Sequence, residues 1–415
     1  MTGAGGVAAP RDFLTGVLAL GQLLSWGAFY YALPVFVAPI SAELGWSREI
    51  IFWGLSAALL TSVVVAPAVG RRIDGGRGKS ALLVGQLAGG LSLLVLALTG
   101  DLWLFLLLCC GIGISQGACL YDTAFSLLHR YLGTDAPRAI IRVTLVAGLA
   151  GTIFVPAAQF LVEQLGWRLA AFILGGVGLL PCILYLRFLP DVRAARETPF
   201  TEDIPLAPLR WNASTIALVA AFGASTATFS TVTIHFLPLL IERGMTGFAA
   251  ARIFALVGPF QILSRFIIWG LSGRLSALGH GVIVFLLQAL SILILASAGT
   301  GAWLWAFAVT FGVSSGLLTI VRGNAPAEIC DRSAIGRLNG AIGGAGGLSR
   351  ALMPGLFALL AARTSAGTAL AALFILSMAG AAAFASIGFL FLRSGTASGQ
   401  SALRPELRCR PTPRE

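Results

Sequence analysis

Two arginines stand inside apolar runs of this 415-residue chain, and they are the side chains best suited to binding chemistry. Arg265 lies in 256–274 (LVGPFQILSRFIIWGLSGR), and Arg350 lies in Leu348-Ser-Arg-Ala-Leu-Met-Pro354. A charge at the centre of a membrane helix costs about 2.5–3.5 kcal/mol on insertion scales, so such a residue faces a bundle interior or a water-filled cavity. If the first helix ends near Gly273, Arg265 sits roughly 12 Å from that end; a helix starting near Asn339 places Arg350 roughly 16 Å in. Gln261 lies one turn before Arg265 on the same face. Acidic residues able to balance the pair are scarce at mid-span, since Asp122 and Glu163 fall toward span ends. Charge balance therefore points to an anionic ligand, with a guanidinium as the natural carboxylate fork. The competing reading is that Arg265 snorkels to the headgroups or pairs with a structural carboxylate.

Other polar side chains recur at helical spacing. Gln22, Trp26 and Tyr30 share one face of the first apolar run, either lining a cavity or packing as an interfacial belt. Thr152, Pro156 and Gln159 form a similar set on the fifth, where the proline bends the helix. His235, one turn after Thr231, titrates near neutrality; it either handles a proton or is a polar residue satisfied near the outer mouth. Arg322, in line with Ser315 and Thr319, is either a gate residue or an ordinary basic helix terminus. No catalytic constellation is present. The two G-x-S-x-G matches, Gly113-Ile-Ser-Gln-Gly117 and Gly312-Val-Ser-Ser-Gly316, lie within apolar spans rather than at a strand-to-helix elbow. They suit close helix approach instead. The glycine-rich stretch 340–347 lacks the Lys-Ser/Thr ending of a phosphate loop. Six cysteines without metal-like spacing read as small membrane residues rather than disulfides or ligands, and neither a metal nor a cofactor is expected. An enzyme is excluded on these grounds.

The elements that must position these residues are membrane spans. The chain is 57% hydrophobic and only 11% charged, too apolar for a soluble protein of this length. The net charge of +11 is scattered between apolar runs, which argues against a nucleic-acid partner and for the positive-inside rule. Twelve spans are expected, near 13–40, 49–70, 80–99, 102–128, 139–163, 168–189, 213–241, 248–271, 281–299, 302–322, 338–361 and 366–392. The run after residue 190, rich in proline and charge, reads as a linker over 191–212. It divides a six-helix N-terminal half (1–190) from a six-helix C-terminal half (213–393). A basic tail over 394–415, expected to be disordered, is able to touch anionic lipid. Charge bias places both termini in the cytoplasm, with Arg71, Arg72, Arg130 and Arg138 on that side. The G-x-S-x-G pattern and a span-ending glycine (Gly70, Gly270) each recur at an offset of about 200 residues. Parallel six-helix repeats with a site at mid-membrane are one known transporter plan.

After the second span comes Gly70-Arg-Arg-Ile-Asp74-Gly-Gly-Arg77-Gly-Lys79, a short turn whose acid and bases can staple helix ends by charge pairing. This resembles the signature loop between helices 2 and 3 of the major facilitator superfamily, with Asp74, Arg77 and Lys79 in the charged roles. Gly270-Leu-Ser-Gly-Arg274 resembles its weaker second copy. Within that superfamily the chain is most similar to the bacterial monocarboxylate-porter and oxalate–formate-antiporter branch. The resemblance is carried by Tyr31-Ala-Leu-Pro-Val-Phe-Val-Ala-Pro39, Glu43-Leu-Gly-Trp-Ser-Arg48, Gly166-Trp-Arg168, Gly258-Pro-Phe-Gln-Ile-Leu-Ser-Arg265 and Leu318-Thr-Ile-Val-Arg-Gly323. It implies an all-α membrane protein of twelve transmembrane helices, in two six-helix bundles related by a pseudo-two-fold axis.

The resemblance also implies that Arg265 matches the helix-8 arginine that pairs with a substrate carboxylate in this branch. Arg350 matches the second basic residue that oxalate-type members carry in helix 11. Animal monocarboxylate porters have an aspartate one turn before the helix-8 arginine and a lysine just after the helix-1 proline; here those places hold Gln261 and Val35. The departure favours anion exchange, or a proton site elsewhere. The expectation is a monomeric secondary transporter of a small organic anion, working by proton symport or exchange in the inner membrane of a bacterium. Gln261, Gln22, Trp26, Tyr30 and Gln159 would join the two arginines at the site, while Asp74, Arg77, Lys79, Asp122, His235 and Arg322 would serve gating or coupling. The alternatives are an exporter of toxic or amphipathic compounds and a copper importer; against copper, no Met/His pair occurs at helical spacing.

Overall fold

A chain this apolar must satisfy its backbone polar groups internally, and the α-helix does so within one segment. In the computed structural model every element among the described residues is helical. Residues 11–190, 211–271, 276–330 and 332–395 are described, with side chains except at 267–271, 332–334 and 390–395. Most of the linker, the basic tail beyond 395 and the loop from Ser272 to Arg274 lie outside the described residues.

Among the described residues ten helical intervals are apolar and long enough to cross a membrane. One of them, Leu102–Phe188, has 87 residues, or roughly 130 Å at helical rise, and is interrupted, so it supplies three crossings. The total is twelve. The helices are α1 (Arg11–Trp26), α2 (Val37–Leu44), α3 (Arg48–Asp74), α4 (Gly78–Leu96), α5 (Leu102–Cys119), α6 (Tyr121–Leu132), α7 (Ala136–Ala147) and α8 (Ala150–Phe188). After the linker come α9 (Ala213–Glu242), α10 (Gly247–Ala255), α11 (Val257–Leu271), α12 (Ala277–Ser297), α13 (Leu304–Ile329), α14 (Arg332–Arg363) and α15 (Ala366–Gly395).

Several spans expected as single helices are broken. The first passes through a π turn at Gly27–Tyr31 and a 3-10 turn at Leu33–Phe36, where Pro34 interrupts the ladder. The fourth breaks at Leu120, whose extended ψ of −168° separates α5 from α6. The fifth and sixth run together as α8, bent at Gly166, whose φ of 78° is open to glycine. One further correction concerns cysteine: Cys330, beyond the apolar part of α13, is disulfide-bonded, whereas Cys109, Cys110, Cys119 and Cys182 are free thiols buried or partly buried among the helices.

The chain divides into two compact units, one of Met1–Leu44 with Thr61–Thr198, the other of Gly45–Leu60 with Pro199–Glu415. In the first, α4 packs on α5 and α8, and α1 on α7 and α8. Its core gathers Leu14, Leu18, Leu82, Leu127, Leu128, Val143 and Tyr185. At one end, Arg168 donates through Nε to Glu43 Oε1 at 2.7 Å and through Nη1 to the carbonyls of Ala97 (3.0 Å) and Thr99 (2.8 Å). Trp167 Nε1 donates to the other Glu43 oxygen. The Glu43 and Gly166-Trp-Arg168 patches, 120-odd residues apart, are thus one clasp.

In the second unit α9 packs on α14 and α15, α12 on α13 and α15, and α11 on α13. A core of Phe222, Phe285, Leu317, Leu338 and Phe384 lies among α9, α12, α13, α14 and α15. The α11–α13 crossing needs bare backbone. A Cβ on Gly312 would sit 2.7 Å from Phe260 Cβ and from the Val257 carbonyl, and one on Gly316 would overlap Ser264 Oγ. The G-x-S-x-G pattern on α13 is therefore a close-packing seam.

Candidate functional site

The seam between α11 and α13 turns Ser264 inward: it is 1% exposed, and its Oγ donates to the Gln261 carbonyl at 2.8 Å. Arg265, the next residue, projects about a quarter-turn round the helix and is partly buried, as is Gln261. Arg350 is held differently, through α9. Pro354 lacks the N–H that would bond the Arg350 carbonyl, and Ser230 Oγ donates to that carbonyl instead, at 3.1 Å. The Arg350 side chain is partly buried and makes no ion pair among the described residues; its Nε is buried with no hydrogen-bond partner among them. A guanidinium N–H withdrawn from water without an acceptor costs more than an ordinary unmade hydrogen bond, because the group is charged. Arg322, exposed on α13, reaches toward α14, with Nη2 3.7 Å from where a Cβ on Gly343 would lie. Gly343 precedes Arg350 by two turns, or roughly 10 Å along α14.

The first unit carries a buried seam of amides, most of it answering backbone irregularity. In the π register of the first span, the N–H that Pro34 lacks leaves the Phe29 carbonyl open, and Gln116 Nε2 donates to it at 2.7 Å. The break at Leu120 opens the Cys119 carbonyl, and Gln22 Nε2 donates to that one. Gln86 Nε2 donates to Ser25 Oγ at 2.6 Å. Gln22 is fully buried, so its amide is engaged in joining α1 to the end of α5. Beside it, Trp26 packs against Tyr30 (centroids 5.2 Å), Tyr31 (6.1 Å) and Tyr121 (4.8 Å), with Tyr30 buried. Trp26 Nε1 and Thr152 Oγ1 are buried without hydrogen-bond partners among the described residues. Gln159 donates to Glu163 Oε1 at 2.9 Å while its own Oε1 has no such partner.

The remaining expected residues are placed as follows. Asp74 is exposed, with Arg130 donating to its carbonyl at 3.0 Å and lying 3.6 Å from its carboxylate. Arg77 caps α4 and accepts Ser80 Oγ on its carbonyl, and Lys79 Nζ donates to the Leu186 carbonyl at 3.4 Å. The loop therefore staples the ends of three crossings of the first unit, α3, α6 and α8, around α4. Asp122 is exposed in the first turn of α6, where a carboxylate complements the helix dipole, and is not brought to the amide seam. His235 is buried on α9 in the second unit, its Nε2 2.9 Å from the Pro354 carbonyl. Sequence reasoning missed Gln86, Gln116, Tyr121 and the Arg48–Glu242 ion pair. The usable signal for the glutamines was an amide inside an apolar run, which must meet either a ligand or a broken helix.

Twelve apolar crossings among the described residues, with two cationic mid-span positions, describe a polytopic membrane protein. The family model of the Major Facilitator Superfamily matches residues 18–354. The chain belongs to that superfamily. Human monocarboxylate transporter 11 is 27% identical over 263 residues, which is 61% of this chain and 53% of the relative. The mouse protein of the same name is 28% identical over 273 residues, covering 63% and 58%. The chain thus spans little more than half the length of these curated relatives. Among solved structures, a POT family transporter in complex with 5-aminolevulinic acid superposes with a TM-score of 0.73 at 14% identity, covering 94% of this chain and 98% of that one. The nucleoside transporter NupG does so at 0.71 and 14%, covering 91% and 98%. Such likeness establishes the major facilitator fold, and cargoes this different show that the fold alone does not choose the substrate. The protein is a multi-pass membrane protein of that superfamily.

Proposed function

We propose that this transporter moves a small, monocarboxylate-like organic anion by alternating access, with Arg350 and Arg265 as its anchors. The observation that carries the proposal is the Arg350 Nε: a charged donor, buried in an apolar helix, with no acceptor among the described residues. A carboxylate restores the missing bond and the missing charge together, which a neutral or cationic cargo does not. Arg265, partly buried on α11 beside Gln261, supplies the second guanidinium. The similarity to monocarboxylate transporter 11 supports the same substrate class. In the first unit Trp26 Nε1 and Gln159 Oε1 are buried without hydrogen-bond partners among the described residues, Gln22 ties the first span to the end of α5, and in this reading Arg322 and the Asp74–Arg77–Lys79 loop serve the conformational cycle. In this reading the protein is a monomer in a bacterial inner membrane with both termini cytoplasmic, an orientation that the basic ends of the spans support.

The test is uptake by proteoliposomes of labelled lactate, pyruvate, formate and oxalate, with and without an inward proton gradient and with each anion preloaded. At least one anion should move, and both Arg265→Ala and Arg350→Ala should abolish that movement while remaining monodisperse in detergent. Wild-type rates in either variant would remove that arginine from the site. If no carboxylate moves through folded protein, copper and amphipathic toxicants become the substrates to try.

A further inference from the structure

One turn beyond Arg350, the bend at Pro354 is held by side chains from two other helices of the second unit. Ser230 on α9 donates to the Arg350 carbonyl at 3.1 Å, and His235, five residues further along α9, donates through Nε2 to the Pro354 carbonyl at 2.9 Å. The Gly355 N–H donates to Ser56 Oγ on α3 at 3.0 Å. A proline bend normally finds its partners in neighbouring backbone, hydroxyls or water; here one of them is an imidazole. Because a carbonyl only accepts, the neutral ring must carry its proton on Nε2, and Nδ1 is left as the basic nitrogen. The ring lies between Phe52 (centroids 3.9 Å) and Phe357 (4.5 Å).

The same ring lines a cavity of about 300 Å³ that also holds Arg48, Glu49 and Glu242. Arg48 pairs with Glu242, and these three are the charged groups facing the cavity: Arg48 and Glu49 from α3, Glu242 from α9. From α14 and α15 the lining is apolar. The charged lining is thus two carboxylates and one guanidinium.

We propose that His235 is the proton acceptor of the transport cycle, reached through this cavity, and that its charge state is passed to Arg350 through Pro354. The inference rests on the anion-transport reading above. In the step itself a proton passes from water or a cavity carboxylic acid to the lone pair of Nδ1, the Nε2–H stays on the Pro354 carbonyl, and the ring gains one positive charge. The imidazolium tightens its hold on that carbonyl and competes with Arg48 for Glu242. Both effects act on the bend that sets the height of Arg350. Loss of the same proton on the far side of the cycle resets the clasp, so one monocarboxylate and one proton cross together.

The test separates coupling from binding in proteoliposomes, using labelled lactate, pyruvate, formate and oxalate. His235→Gln keeps an amide able to donate to Pro354 but cannot titrate. Wild type should accumulate its anion about tenfold per unit of inward pH gradient for one-to-one coupling. In His235→Gln that accumulation should fall to the level without a gradient, while counterflow exchange stays within a few-fold of wild type. Gradient-driven accumulation retained in His235→Gln overturns the proposal, and so does loss of both modes to the same extent. Exchange without gradient-driven uptake in wild type also overturns it but leaves the anion reading standing. A second readout needs no cargo. Trp53 lies against Gly355, its ring atoms 2.7–2.9 Å from where a Cβ would be. The fluorescence difference between wild type and Trp53→Phe should change as the pH is lowered and become flat in His235→Gln; a flat wild-type trace overturns the proposal even if no anion on the panel moves.

Discussion

Arg350→Ala discriminates a substrate arginine from a structural one, because the two readings predict opposite signs for the ligand-free protein. The Ser230 bond is made to the backbone carbonyl of residue 350, so it survives the substitution. What is lost is a guanidinium whose Nε has no partner among the described residues and which forms no ion pair among them. Placing such a group at mid-helix costs about 2.5–3.5 kcal/mol on insertion scales. Arg350 is only partly buried, which reduces the relief on its removal to about 1–2 kcal/mol. The ligand-free variant should therefore melt at the same temperature as wild type or a few degrees higher. Anion binding should move the other way. Hydrogen bonds to charged groups are worth about 1.5–3 kcal/mol, so losing one weakens affinity about 10- to 150-fold, and losing the fork and its charge weakens it further. Thermal shift with a transported anion reads both quantities: at 100 times its dissociation constant a ligand stabilises wild type by about 2.7 kcal/mol, and that increment should vanish in Arg350→Ala. Arg350→Lys should retain only a minor part of it, because an ammonium does not reproduce the planar fork. A variant that melts several degrees lower yet keeps the anion-dependent shift would refute the argument and make Arg350 a structural residue.

Three further outcomes follow from the packing. Arg168→Ala removes three hydrogen bonds at the Glu43 clasp; with about a third of the side chain exposed, the loss should be about 1–3 kcal/mol, and a melting temperature within one degree of wild type would show the clasp to be dispensable. Gln116→Leu leaves the Phe29 carbonyl buried without its donor and should cost about 1–3 kcal/mol, measured as a lower melting temperature in the same detergent. Gly316→Ala puts a methyl group onto Ser264 Oγ, so α11 must move away from α13; transport should fall more steeply than the amount of folded protein, and unchanged uptake would mean that the crossing does not position Arg265.

Much of this was legible in the sequence, for reasons that differ from residue to residue. The number of crossings follows from apolar length alone, and the glycines of G-x-S-x-G were rightly assigned to close approach, because steric demand leaves few other residue types possible. The break at Leu120 was not legible, since leucine carries no signal for an extended ψ and the surrounding run is as apolar as any intact span. The pairing of Glu43 with Arg168 was equally hidden: each stood in its own recognisable patch, but nothing in local spacing joins residues more than 120 positions apart. Gln22 shows the limit from the other side. Its face was read correctly, yet its amide is engaged with the Cys119 carbonyl, a partner that exists only because the fourth span breaks.

That last case supplies a rule for sorting the polar interior. A proline or break inside a span leaves a backbone carbonyl without its N–H, and hydrocarbon provides no substitute, so a side-chain donor is one way the fold satisfies it. Gln116 at Phe29, Gln22 at Cys119 and Ser230 at Arg350 are three such donors. Their presence in apolar helices is accounted for without any cargo. Other buried atoms have no hydrogen bond among the described residues, and four of them are the Nε of Arg350, the indole N–H of Trp26, the hydroxyl of Thr152 and the amide oxygen of Gln159. Leaving such atoms unbonded is costly, and the cost is offset only if something else binds them during the cycle. Three of the four are uncharged and suit water or the polar parts of many solutes. The guanidinium alone demands an anion. His235 bonds the Pro354 carbonyl through one ring nitrogen, and under the proposal above the other takes the proton, which would join the Pro354 bend to the charge that passes.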